Sequence, residues 1–235
     1  HVDSSAASDV YKRQDHIGGI NPLRRAFGNI PVFVPKAHLP IIEANEPLAD
    51  YRAKFWGIAE VPNKLSTYEA GHEFYIGGLT LKTHDTPGHT PGHISLTLEW
   101  GDKLFACTGD LYFGSRFIPA FFESATDDLI RSRRMIAGLA NSVYMLPTHG
   151  KARADGRDIL FHSALQLENA SQQIMANSAR FHKDDLLSLR KSIFPGADVM
   201  GQITQGEVSE LAFVRSVVDP VKELPASSLA HYFET

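Results

Sequence analysis

Residues 86–93 read TPGHTPGH, two copies of Thr-Pro-Gly-His set end to end. Proline and glycine punctuate regular structure, so the octet is read as a loop. Apolar runs flank it on both sides. Leu79–Thr83 precedes it, and His93–Trp100 follows with Ile94, Leu96 and Leu98 at every second position, the period of a strand. The octet therefore places imidazoles at strand ends, where loops form sites on a rigid scaffold. A lone histidine in such a loop is usually solvated, so its meaning depends on what the neighbouring strands carry.

Working outward, two more stretches show the same arrangement, and a third carries the same residue types. The turn Gly101-Asp102 leads from His93–Trp100 into Lys103–Thr108, and that run ends in Thr108-Gly-Asp110-Leu-Tyr-Phe. The short apolar run Val143–Leu146 ends in Leu146-Pro-Thr-His149-Gly150. Upstream, Asp15-His16-Ile-Gly-Gly opens a loop and a short helix reaching Phe27. Imidazoles and carboxylates without thiolates suit Zn²⁺, and also Fe or Mn. A Thr-Gly-Asp alone is usually a turn; the four stretches in order are what carry weight.

The remaining chain reads as layers of strands and helices. Ile30–Pro35 is a short buried strand, with helical stretches around Ala37–Ala44 and Leu48–Phe55. Glu73–Ile76 pairs with Leu79–Thr83 as a hairpin around Gly77-Gly78. Apolar positions 129, 130, 135, 136 and 139 predict a helix over Asp127–Ala140 covering a sheet. Beyond Gly150, helices are expected at Asp158–Ser178, Asp184–Ile193 and Glu207–Val218, the last two set off by Pro195-Gly196 and Gly201–Gly206. Strands with intervening helices indicate an α/β or α+β layered protein.

Composition bounds the rest. Of 235 residues 43% are hydrophobic, and 23 basic against 27 acidic residues give a net charge of −4. With no basic block, a nucleic-acid partner is not expected. The single cysteine, Cys107, rules out an internal disulfide and a thiolate metal cluster, and is read as a small buried hydrophobe on a strand. No apolar run approaches the ~18 residues of a membrane span, so a soluble protein is expected, its compartment and oligomeric state left open. Residues 1–14, HVDSSAASDVYKRQ, are small, polar and aperiodic. They read as a leader or a seam, with native sequence expected to begin near Asp15.

The ordered set Asp-His-x-Gly-Gly, Thr-Pro-Gly-His-Thr-Pro-Gly-His, Thr-Gly-Asp-Leu and Thr-His-Gly resembles the metallo-β-lactamase-fold hydrolase superfamily over roughly residues 15–150. The resemblance implies an αββα sandwich of two mixed β-sheets flanked by helices, with residues 151–235 as its helical C-terminal extension. It implies a metal-bound hydroxide that cleaves an ester, lactone, thioester or amide of a small molecule. By motif, His89 would bind the first metal and Asp110 would bridge both. Asp15, His16 and His149 would bind the second, with Asp15 also orienting the nucleophile. His93 falls outside that ligand set and is read either as a residue that supports the ligands or as one that simply starts the strand; His84 is a non-ligand within a strand. Zinc is the expected ion, two in an intact relative.

One departure qualifies this. Family members carry His-x-His-x-Asp-His, and the two leading positions here hold Tyr11 and Arg13. A guanidinium is always protonated and has no lone pair for a cation. About one bound ion is therefore expected for this chain. A catalytically impaired metal-binding or interaction module of the same fold stands as the alternative. The aromatic run after Asp110 (Tyr112, Phe113, Phe117, Phe121 and Phe122) is equally suited to lining a substrate wall or packing a loop.

Overall fold

The computed structural model describes residues 17–28, 30–39, 42, 64–113, 124–182, 185–204 and 208–220. The sheet that organises them has five strands in the order β3-β4-β5-β6-β7: β3 (Glu73–Ile76), β4 (Leu79–Asp85), β5 (Ile94–Trp100), β6 (Lys103–Gly109) and β7 (Val143–Pro147). The first four form an antiparallel meander, and β7 pairs parallel to β6. Each hairpin turns at the expected glycine: Ile76 faces Leu79 across Gly77-Gly78, and Trp100 faces Lys103 across Gly101-Asp102.

A parallel pair needs a long crossover, and among the described residues between β6 and β7 lies α2 (Thr126–Gly138). Its apolar stripe packs with α3 (Gly156–Ser178) on one face of the sheet. There Leu104, Ala106, Val143 and Met145 meet Leu129, Ile136, Leu160 and Ala164 in one buried cluster. Beyond α3 come α4 (Leu186–Ile193), α5 (Val199–Ile203) and α6 (Glu210–Val218). Asp185 caps α4 by accepting from the Ser188 amide, and Ser209 caps α6 by accepting from Ala212.

The opposite face of the sheet is set by strand alternation. Leu96 lies beside Cys107 and Leu98 beside Phe105, and all four are half-buried. With Trp100, which is 65% exposed, they line an apolar groove of about 360 Å³. Cys107 is thus a half-buried lining residue of this groove rather than a core residue.

A second, two-stranded parallel sheet pairs β1 (Val32–Pro35) with β2 (Leu65–Tyr68). It meets the larger sheet through Phe33 and Tyr68, whose rings pack edge-on against Phe74 at 5.2 Å. The helix α1 (Ile20–Phe27) joins this layer, burying Ile17 and Ile20 with Val34 and Ile42. Arg24 ties it down by donating to the carbonyls of Ile30 and Lys64.

These are the mixed sheets and flanking helices expected of the fold class. Strand β2 and helix α5 go beyond the elements that the sequence pattern predicts. In α5 Gly201 sits within a helix instead of punctuating a loop, because the Asp198 carboxylate accepts from its amide at 2.7 Å. The helical stretch expected at Leu48–Phe55 lies outside the described residues.

Candidate metal centre

Strand direction gathers the site. Strands β4 and β6 run the same way, each antiparallel to β5, and β7 runs parallel to β6. The C-terminal ends of β4, β6 and β7 and the start of β5 therefore share one sheet edge. His89, His93, Asp110 and His149 all stand there.

The loop holding His89 is braced from several sides. The Thr86 amide donates to the His93 carbonyl at 2.9 Å, closing the loop across its base. Helix α2 anchors its far side: the Ala125 amide donates to the Gly88 carbonyl, and Ser132 Oγ to that of Pro87. Ser124 Oγ donates to the His89 carbonyl at 2.9 Å. The Asp110 loop is held similarly. The Leu111 amide donates to Thr108, Arg133 Nε donates to the Leu111 carbonyl at 2.7 Å, and the Thr148 amide donates to Gly109. The loop of His149 closes on itself, because Met145 and Arg153 exchange backbone hydrogen bonds beneath it.

These braces converge on the Asp110 carboxylate. Oδ2 lies 3.4 Å from His89 Nε2, and Oδ1 lies 3.6 Å from His149 Nε2. His89 and Asp110 are wholly buried, whereas the His149 side chain is 40% exposed. The Phe113 ring packs at 5.2 Å from His89 and stacks on His149 at 5.3 Å. Tyr112, by contrast, is buried in the core cluster under the helices. Of the aromatic run, Tyr112 thus packs the core and Phe113 covers the imidazoles, while Phe117, Phe121 and Phe122 lie outside the described residues.

The donor chemistry and spacing fit a divalent ion. Separations of 3.4 and 3.6 Å exceed an ordinary N–H···O hydrogen bond. Two ligands held at about 2.1 Å on one tetrahedral ion stand roughly 3.4 Å apart. The two carboxylate oxygens face different imidazoles, the disposition of a bridging ligand. Among the described residues each half offers one imidazole and one carboxylate oxygen, and no three donors converge on a single point. The other expected ligands, Asp15 and His16, lie outside the described residues, as do Tyr11 and Arg13.

The histidines that are not candidate ligands have distinct settings. His93 is buried, and its Nε2 accepts from the Asp110 amide at 3.1 Å. His84, on β4, pairs with Thr97 Oγ1 at 2.7 Å, and burial lowers its pKa. His38, in the short 3₁₀ turn Lys36–His38, belongs to none of the sequence motifs. It is 1% exposed, its ring abuts Gly92, and burial pulls it from 6.5 to about 4. No sequence signal marks it, since its neighbours in the chain are ordinary.

Similarity to known proteins bears on the same residues and the same fold. The profile described as Metallo-beta-lactamase superfamily matches residues 14–149. A hydroxyacylglutathione hydrolase of Vibrio parahaemolyticus is 30% identical over 186 residues, 79% of this chain and 60% of that protein. A probable metallo-hydrolase of Bacillus subtilis, YybB, is 32% identical over 108 residues, 46% of this chain and 45% of that protein. The chain thus spans less than two thirds of the length of both relatives. Among solved structures, a beta-lactamase domain protein from Burkholderia ambifaria aligns with TM-score 0.62 at 17% identity, covering 89% of this chain and 66% of that one. A metallo-beta-lactamase family protein from Thermus thermophilus aligns with TM-score 0.58 at 18% identity, covering 89% and 70%. These two likenesses concern the fold.

Proposed function

This chain belongs to the metallo-beta-lactamase superfamily, and from that premise we propose that it is a metal-dependent hydrolase of a small carbonyl substrate, with a thioester as the first candidate. The observation that carries the reading is the buried Asp110 carboxylate with one oxygen toward His89 and the other toward His149. The relative named hydroxyacylglutathione hydrolase supports placing thioesters ahead of lactones, other esters and amides.

When bound, a divalent ion supplies Lewis acidity and water made acidic near neutral pH. The chain's residues set the stage for that chemistry. Asp110 would hold the metal through its two oxygens, with His89 on the buried side and His149 on the side beside solvent. By their place in the sequence motif, Asp15 and His16 would complete the outer set, and Asp15 would orient the attacking water. Phe113, lying over both imidazoles, keeps bulk water from the buried half and offers an apolar wall to the acyl portion of a substrate.

A panel of thioester, lactone, ester and β-lactam substrates, assayed with added zinc, iron or manganese, tests the reading. Hydrolysis of one class is expected, with its loss on chelation and a roughly hundredfold or greater drop in Asp110→Asn. Metal-independent turnover, or none on any substrate, overturns it. A second reading, a non-catalytic metal-binding module, is favoured by Tyr11 and Arg13 at positions where family members carry histidines. Metal analysis separates the two. About one tightly held equivalent is expected, and a chain that binds it without hydrolysing the panel is the module.

A further inference from the structure

We infer that His93 is a positioning residue for Asp110, and that Thr86 and Ser95 hold its imidazole in the one tautomer that can do this. The inference rests on the reading of Asp110 as the bridging ligand.

The tautomer follows from donor and acceptor bookkeeping. A backbone N–H only donates, so His93 Nε2, 3.1 Å from the Asp110 amide, is a bare acceptor. The ring proton of the neutral imidazole then sits on Nδ1, which donates to Thr86 Oγ1 at 2.8 Å. Thr86, having accepted, passes its own hydroxyl proton on. Ser95 Oγ stands at 2.9 Å, closer than the His93 carbonyl at 3.5 Å. Thr86, His93, Ser95 and Asp110 are all wholly buried, so no bulk water competes for these links. The opposite tautomer would set Nε2–H against the Asp110 N–H, donor against donor.

The placement gives this chain of bonds its consequence. His93 closes the loop that carries His89 and also grips the amide of the residue that carries the facing carboxylate. One residue therefore links two loops across 17 residues of chain, its carbonyl and Nδ1 on the Thr86 side and its Nε2 on the Asp110 side. On the other side of Asp110, the Leu111 amide and carbonyl are already held by Thr108 and Arg133. The peptide on the N-terminal side of Asp110 is held at both ends, its Gly109 carbonyl by the Thr148 amide and its Asp110 amide by His93, and the His93 bond is the one that ties the aim of the carboxylate to the His89 loop. Partners that orient a metal ligand typically change metal affinity by about 10–100-fold when removed.

The test uses the full chain with histidine ¹⁵N labelling, amide hydrogen exchange and zinc titration. The His93 signals are expected to show a protonated Nδ1 and an unprotonated Nε2. In His93→Leu the Asp110 amide should exchange roughly tenfold faster or more, and zinc affinity should fall about tenfold. His93→Gln, whose side-chain oxygen takes over the acceptor, should restore most of both. In Thr86→Val, which keeps the imidazole and removes the partner of Nδ1, Nε2 should stay unprotonated while the ring loses its hold, and the Asp110 amide should exchange faster than in the unmodified chain. A protonated Nε2 in the unmodified chain overturns the inference, as does a His93→Leu variant in which Asp110 stays protected and zinc affinity is unchanged. If His93→Leu does not fold, the tautomer of the unmodified chain and the exchange of the Asp110 amide in Thr86→Val decide the question. The labelling reads the relay without any substrate, so failure of the hydrolase reading leaves a different trace from failure of the relay.

Discussion

At Gly92 the His38 imidazole occupies the space where a side chain would begin: a Cβ built there meets His38 Nε2 at 2.0 Å. Gly92→Ala is therefore expected to cost roughly 1–3 kcal/mol in urea unfolding, and adding His38→Ala should recover part of it. Gly88 is different. Its φ is +132°, and a Cβ would lie 2.2 Å from the Leu129 backbone nitrogen, which cannot swing aside. Gly88→Ala should be the more damaging change, with no side-chain truncation able to rescue it. His38 also makes stability depend on pH. Neither ring nitrogen finds a hydrogen-bond partner among the described residues, and burial lowers the pKa from 6.5 to about 4. The unfolded chain thus takes up the proton first as pH falls. The neutral ring's contribution is complete above pH 6.5, declines between 6.5 and about 4, and is lost below, a swing of about 3 kcal/mol. Unfolding free energies at neutral pH and near the lower end of that window should show this slope, and His38→Leu should flatten it.

At the scale of elements, α2 does more than cover the sheet. Its Arg133, 3% exposed, donates to the carbonyls of Leu111 and Ser163, and so ties the Asp110 loop to α3. Burial lowers Arg133 to about 10, leaving it cationic at neutral pH. Arg133→Ala should destabilise by about 2–4 kcal/mol in urea unfolding, because buried carbonyls lose their donors. The strands β4 to β7 are legible in the sequence because alternation and glycine turns are local signals. Strand β2, Leu-Ser-Thr-Tyr, is not: two of its four residues are exposed and polar, and its pairing to β1 is parallel and non-local. For the same reason the order of the site motifs can be read, while the partners behind them cannot. His93 acts across 17 residues and Arg133 across 22, and no periodicity records such a contact.

At the scale of the whole molecule, the five-stranded sheet has two unlike faces. One is sealed by α2 and α3, and the other leaves Leu96, Leu98, Phe105 and Cys107 half-buried beside an exposed Trp100. Exposed apolar surface of this kind favours association. The chain should enhance the fluorescence of an apolar dye and self-associate with rising concentration in analytical ultracentrifugation; Trp100→Lys should reduce both. None of the described helices is long and apolar enough to cross a membrane. The site edge is equally lopsided, with His149 at the surface and His38, His89 and His93 sealed behind it. Among the described histidines of this edge, His149 is the one open to a small acylating reagent from solvent. Carbethoxylation of the folded chain should mark His149 while sparing the three inner rings, and on the proposed reading a substrate would come to the centre from that same side.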